Sequence, residues 1–138
     1  MANDIDTDEL YRMTISIADY CYEVGSGLPQ DEKYPVLFSL KTCAFDMSNT
    51  VAEAYGSTDP RDKFWKLGHA KRALYSARNI LQQAHKRGLV ELNPEIMITV
   101  KRAIEMVSKQ LKVAQDSIGA YLAVLDADSY KSINVAKR

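Results

Sequence analysis

Cysteine and histidine are scarce in this chain, and their scarcity closes several chemistries. The 138 residues hold two of each. Cys21 and Cys43 fall in different predicted helices with no second metal-type ligand at useful spacing. In a reducing compartment they read as small buried hydrophobes rather than as redox or metal groups. His69 and His85 share a predicted helix but lie sixteen residues apart. That is about 24 Å along the axis and nearly opposite in facing, so they cannot share a metal within one protomer and read as surface or edge histidines. No Glu-x-x-His pair of the kind that builds dinuclear sites in bundles is present. Nor does any nucleophile, base and orienting group assemble as a trio. Gly25-Ser26-Gly27 lacks the lysine and the strand–turn–helix setting of a phosphate loop. No catalytic residue, metal or cofactor is assigned, and the chain reads as non-enzymatic.

Long apolar runs are missing too. No stretch approaches ~18 uninterrupted apolar residues, and the N-terminus MANDIDTDEL is acidic rather than basic and then apolar. The expectation is a cytoplasmic protein with no membrane contact. Period-two alternation, internal repeats and low-complexity segments are likewise lacking, which leaves no signal for a sheet or a solenoid. Hydrophobic residues at 46% and charged ones at 26% are ordinary globular values. A chain of this length can bury roughly two-thirds of its unfolded surface without staples.

What is present is helical periodicity, with start and stop signals between the periods. Residues 8–24 place Leu10, Met13, Ile17, Cys21 and Val24 at steps of three and four, and Gly25-Ser26-Gly27 reads as the stop. A second helix is expected from Pro35, which suits a first helical position, to about Tyr55. Leu37, Leu40, Ala44, Met47, Val51 and Ala54 form its core stripe. Its two acids, Asp46 and Glu53, lie near one face and read as solvated or ion-paired. Gly56 to Pro60 is a stop and then a start, with Thr58 or Asp59 as cap, and the third helix runs to about Arg87 before Gly88. Asn93-Pro94-Glu95 opens the fourth, where Met97, Val100, Ile104, Val107, Leu111, Ala114, Ile118, Tyr121 and Leu125 make a seam of four heptads.

Short connections force neighbouring helices to run in opposite directions, so the predicted fold is all-α, an antiparallel up-down four-helix bundle. Its expected limits are 8–125. Residues 1–7 read as a flexible acidic N-terminus and residues 126–138, without a period, as a mobile tail. Two further apolar lines exceed what one seam needs: Phe38 and Phe45 in the second helix, and Met106 and Val113 in the fourth. These are the candidate oligomer contacts.

Formal net charge is zero, yet unevenly laid out. Eight acids face one base from Met1 to Glu32, and eight bases face one acid from Arg61 to Val90. Such asymmetry serves either self-assembly by charge complementarity or one basic face for a polyanion. At ~100° per residue, Leu67, Ala70, Ala73, Leu74, Ala77, Ile80, Leu81 and Ala84 occupy a sector of the third helix about 140° wide. Arg61, Lys71, Arg72, Arg78 and Lys86 fall in another, about 120° wide by the same geometry, with Tyr75 among them. Aligned cations with an aromatic that can stack on an unpaired base suit nucleic acid. The bland alternative is a solvated helix face that happens to be basic.

Leu28-Pro29, Glu32 and Tyr34, followed by Leu40, Lys41, Ala44 and then Val51-Ala52-Glu53 and Gly56, match a known motif in order and spacing. Phe64-Trp65 and the later Leu81, Ala84, Gly88 and Leu89 match it further. On these residues the chain, over about 10–120, resembles a family of four-helix-bundle proteins. Its members include those encoded in large-subunit rRNA intervening sequences and the accessory variability (Avd) proteins of diversity-generating retroelements. Thr42, Thr50 and Ala54 depart from the family pattern, and Asp116-Ser117-Ile118-Gly119 stands where Avd-type relatives carry Gly-Gly-Trp. The resemblance implies a pentameric, ring-like homo-oligomer with a basic surface. It also implies binding of RNA or DNA and association with a reverse transcriptase during mutagenic copying. Intervening-sequence relatives imply the alternative, a protein-binding scaffold with no nucleic-acid role.

Overall fold

The computed structural model describes residues 8–136, and the side chains of all of these except 32–34 and 128–136. Four helices make up the fold: α1 (Glu9–Ser26), α2 (Gln30–Gly56), α3 (Pro60–Lys86) and α4 (Pro94–Ala136), with no strand among the described residues. The N-terminal segment 1–7 and the side chains of the motif residues Glu32 and Tyr34 lie outside this description.

Each helix boundary has a local cause. Asp8 caps α1, its carboxylate accepting from the Tyr11 N–H at 3.2 Å. α1 ends within the expected Gly25-Ser26-Gly27 stop, at Ser26 with Gly27 as its cap. Gly25 is buried inside the α1–α2 contact, where a Cβ would overlap Leu37 Cδ1, so glycine serves close approach there. α2 begins at Gln30 rather than Pro35. Leu28 is buried and Pro29 takes the cap position at φ −56° and ψ 152°, so the chain turns into helix at once. Pro35 is then carried inside the helix, at the loss of the N–H bond that would reach the carbonyl of Asp31. Of the two candidate caps for α3, Asp59 fills the role, accepting from the Arg61 N–H at 2.9 Å with Pro60 first in the helix. Asn93 does the same for α4, accepting from Glu95 N–H at 2.9 Å. Gly88, at φ 77°, follows α3 in the left-handed conformation that glycine adopts without steric penalty.

α4 continues to Ala136, past Leu125, where the apolar period ends. Residues 126–136 contain neither proline nor glycine, and a helix already nucleated propagates through polar sequence at little cost. The expected domain limit at 125 therefore does not coincide with a helix end.

α1 packs on α2, α2 on α3, α3 on α4 and α4 on α1, which closes the four helices around one core. Leu10, Ile17, Leu40, Met47, Leu74, Leu81, Val100 and Val107 are fully buried in it. Ala70, Ala73, Ala77 and Ala84 give α3 a thin buried stripe. Thr14 is the one buried polar side chain among the described residues, and its hydroxyl donates to the Tyr11 carbonyl at 2.7 Å.

Two tyrosines tie the ends. Tyr20 donates to the Glu91 carbonyl at 3.2 Å and accepts from the Asn93 N–H at 3.1 Å, fixing the α3–α4 connection to α1. Tyr55 donates to the Asp8 carboxylate at 2.7 Å and accepts from the Gln110 amide at 3.2 Å, joining α2, the start of α1 and α4. Burial first, and then the bond to Asp8, push the Tyr55 phenol well above its ordinary pKa.

Both cysteines are free and buried. Burial, reinforced by Cys43, pushes the Cys21 thiol up to about 12. At pH 8 the native protein should therefore be alkylated by iodoacetamide only as fast as it opens, and rapid labelling without denaturant would contradict this packing. Leu74→Ala, which empties a fully buried site, should lower stability by about 2–5 kcal/mol in urea denaturation.

Candidate nucleic-acid interface

α3 carries its apolar residues on one side only, and this decides where its cations go. With the buried stripe turned to α2 and α4, Arg61, Arg72 and Lys86 are exposed, while Lys71 and Arg78 are half-buried at the margins. Tyr75 is 43% exposed between them, and the Arg78 guanidinium lies 4.8 Å from its ring centroid. The pair is a cation–π contact that holds both groups on the surface. Arg72 folds back along the helix, Nε donating to the Gly68 carbonyl at 3.4 Å.

The six predicted residues do not form one compact cluster. From Arg61 to Lys86 the stripe runs about 37 Å along the axis. Lys71, Arg72, Tyr75 and Arg78 lie within about 10 Å of it and form its centre. Lys86 stands at the far end. Arg61 is drawn to the bundle end: its Nε is 3.5 Å from the Asp59 carboxylate, and its guanidinium lies 5.8 Å from the Tyr121 ring centroid. The first backbone N–H of the helix, at Arg61, is the chief reason the Asp59 carboxyl is held below its usual range.

A further cation of the base block is used inside the fold. Lys66 pairs with Glu53 and links α3 to α2, and that hydrogen bond is what chiefly lowers the Glu53 carboxyl. Asn49 donates to Glu53 at 2.7 Å. The motif acid Glu53 is thus a surface link between helices.

Phe38 and Phe45 are 63% and 61% exposed on α2, and Val113 is 65% exposed on α4. Met106 differs: it is half-buried and packs against the core of its own protomer. α2 and α4 are not among the principal packed pairs, so these residues lie on separate sides of the fold.

Sequence periodicity did not single out Trp65 or Phe64 as surface residues, yet they are 63% and 36% exposed at the start of the basic face. The signal was available. Trp65 precedes Arg72 by seven residues, two helical turns, and so shares its stripe. Tyr121, Leu122, Val124 and Leu125 are also exposed, where the α4 seam outruns the shorter helices. Grooves of about 350, 330 and 250 Å³ lie on the surface, the first lined by Thr58–Arg61, Ile118 and Tyr121. Among the described residues no group of three His, Cys, Asp or Glu side chains gathers where an ion could be held. No helix there is long and apolar enough to cross a membrane.

No protein-family model matches this chain, and no curated protein matches it.

Because Tyr75 and Arg78 contact each other at the surface rather than the core, Tyr75→Ala and Arg78→Ala should each change stability by no more than about 1 kcal/mol. Thermal denaturation checks this, and it makes the two variants usable as probes of binding.

Proposed function

We propose that the protein is a non-enzymatic, homo-oligomeric accessory bundle of the Avd kind, cytoplasmic, that binds RNA or DNA. In this reading it works beside a reverse transcriptase in a diversity-generating retroelement. Its four helices run antiparallel, up and down. The close approach of Gly25 to Leu37 and the bond of Tyr55 to Asp8 support that arrangement, since each joins the end of one helix to the start of another.

The observation that carries the reading is the central α3 cluster. Lys71, Arg72 and Arg78 surround an exposed tyrosine, and Asp62 is the only acid in the helix. Zero net charge makes a single protomer a weak polyanion binder. An oligomer that repeats the face changes this, because linked weak contacts add through effective concentration. Exposed apolar residues on two separate sides, Phe38 and Phe45 on α2 and Val113 on α4, support a head-to-tail contact, which forms a ring where its rotation closes and a filament where it does not. The family resemblance supplies the subunit number, five.

Charge reversal tests the nucleic-acid face. Arg72→Glu with Arg78→Glu should weaken RNA and DNA binding and lower the slope of log affinity against log salt by about 2. Unchanged binding and slope would remove the assignment. Light scattering tests the assembly: a mass near that of the 15.5 kDa chain would undo the multivalent part.

The scaffold reading of the intervening-sequence kind has its own observation, the exposure of Phe38 and Phe45 on one helix face. Salt-insensitive capture of a protein partner, lost in Phe45→Asp and accompanied by no nucleic-acid retention, would favour it.

A further inference from the structure

Gly68 lies inside α3, in its third turn and half-buried on the side away from the core, where glycine is the least favourable helix residue after proline. Nothing in the fold calls for it. Its φ is not positive, and a Cβ built there would meet nothing within 4 Å. A residue that lowers helix stability without a conformational or packing reason points to a use outside the fold.

Its surroundings say what that use is. On a helix surface the neighbours of a residue are those three and four positions away. For Gly68 these are Phe64 and Trp65 on one side and Lys71 and Arg72 on the other. The missing side chain therefore leaves no Cβ between the exposed Phe64 and Trp65 rings and the cations Lys71 and Arg72. Arg72 Nε donates to the Gly68 carbonyl at 3.4 Å, and Tyr75 with its Arg78 partner continues the row.

We infer that this notch receives an unpaired nucleobase stacked on Trp65, with the flanking phosphates on Lys71 and Arg72, so that the ligand of the α3 face is a single strand. The inference rests on the nucleic-acid reading above and narrows it. In a duplex both faces of each base are covered by its neighbours, whereas in a single strand they are free to stack on an aromatic side chain. Without a Cβ at Gly68, a ring stacked on Trp65 can extend over the neighbouring turn with no side chain of residue 68 in its way. The positive rim is complementary to a phosphodiester on each side of the stacked base.

Trp65 is the only tryptophan, so its emission reports the notch directly. Titration of the full chain with single-stranded oligo-U, single-stranded oligo-dT and a duplex of equal length should show quenching by the single strands and none by the duplex. The two single-strand arms separate RNA from DNA. Trp65→Ala should lower affinity for a labelled single strand by roughly 5- to 150-fold. Gly68→Ala should raise Tm by roughly 2–4 °C while weakening single-strand binding, a combination that a purely structural role does not produce. Single strands that bind without changing Trp65 emission, or equal affinity in Gly68→Ala, would overturn the notch and leave the charged face standing. Emission that follows protein concentration, with an altered mass in Gly68→Ala, would also overturn it, by assigning the notch to a subunit contact. No binding of any nucleic acid would sink both readings.

Discussion

The narrow apolar stripe of α3 is the constraint on which the rest of this molecule depends. Ala70, Ala73, Ala77 and Ala84 alternate with Leu67, Leu74 and Leu81, and all seven are buried. Small side chains let α2 and α4 pack close on either flank, so the helix meets its core obligations with less than half its circumference. The remainder has no packing duty. Cations can collect there without desolvation, and their repulsion over the length of the helix is screened beyond about 8 Å at physiological salt. A broad leucine-rich face would have spread the core further round the helix and left less room for them.

The acids of the chain do not cancel that face, because several are occupied elsewhere. Asp8 caps α1 and accepts from Tyr55, Asp59 caps α3, and Glu53 binds Lys66 and Asn49. α1, which carries Glu9, Asp19 and Glu23 of the acid block, is not among the principal packing partners of α3. Among the described residues the ion pairs are Arg61–Asp59 and Lys66–Glu53, and neither uses Lys71, Arg72 or Arg78. The same polar groups that close the helix ends also set the limits of the bundle, since Tyr55 and Tyr20 connect segments that apolar packing alone leaves free to slide.

Helix number and most boundaries were legible because the punctuation is local. Asp59-Pro60 and Asn93-Pro94 act on the backbone within two or three residues, and they act as their types require. Where a boundary depended on contacts from elsewhere, the reading moved. Pro35 looks like a start until the buried Leu28 turns the chain into helix five residues earlier, at Gln30. The α4 seam ends near Leu125 while its helix does not, since periodicity records packing and not backbone conformation. The basic face was legible for the same reason as the core: both are angular sectors of one helix. Trp65 falls in that basic sector too, seven residues before Arg72, and its exposure was legible in the same way.

By itself the sequence determined four helices, the caps of α3 and α4, the buried stripe of α3 and the sector that holds its bases, all of which follow from the 3.6-residue turn and from backbone groups seeking near neighbours. Tertiary structure alone decided which marginal residues are covered. Packing buries Met106 in part, leaves Phe45 open and Gly68 half-buried, and takes Lys66 and Arg61 into surface links. The physical reason is that solvent exposure depends on where the neighbouring helices lie, which no single helix can encode.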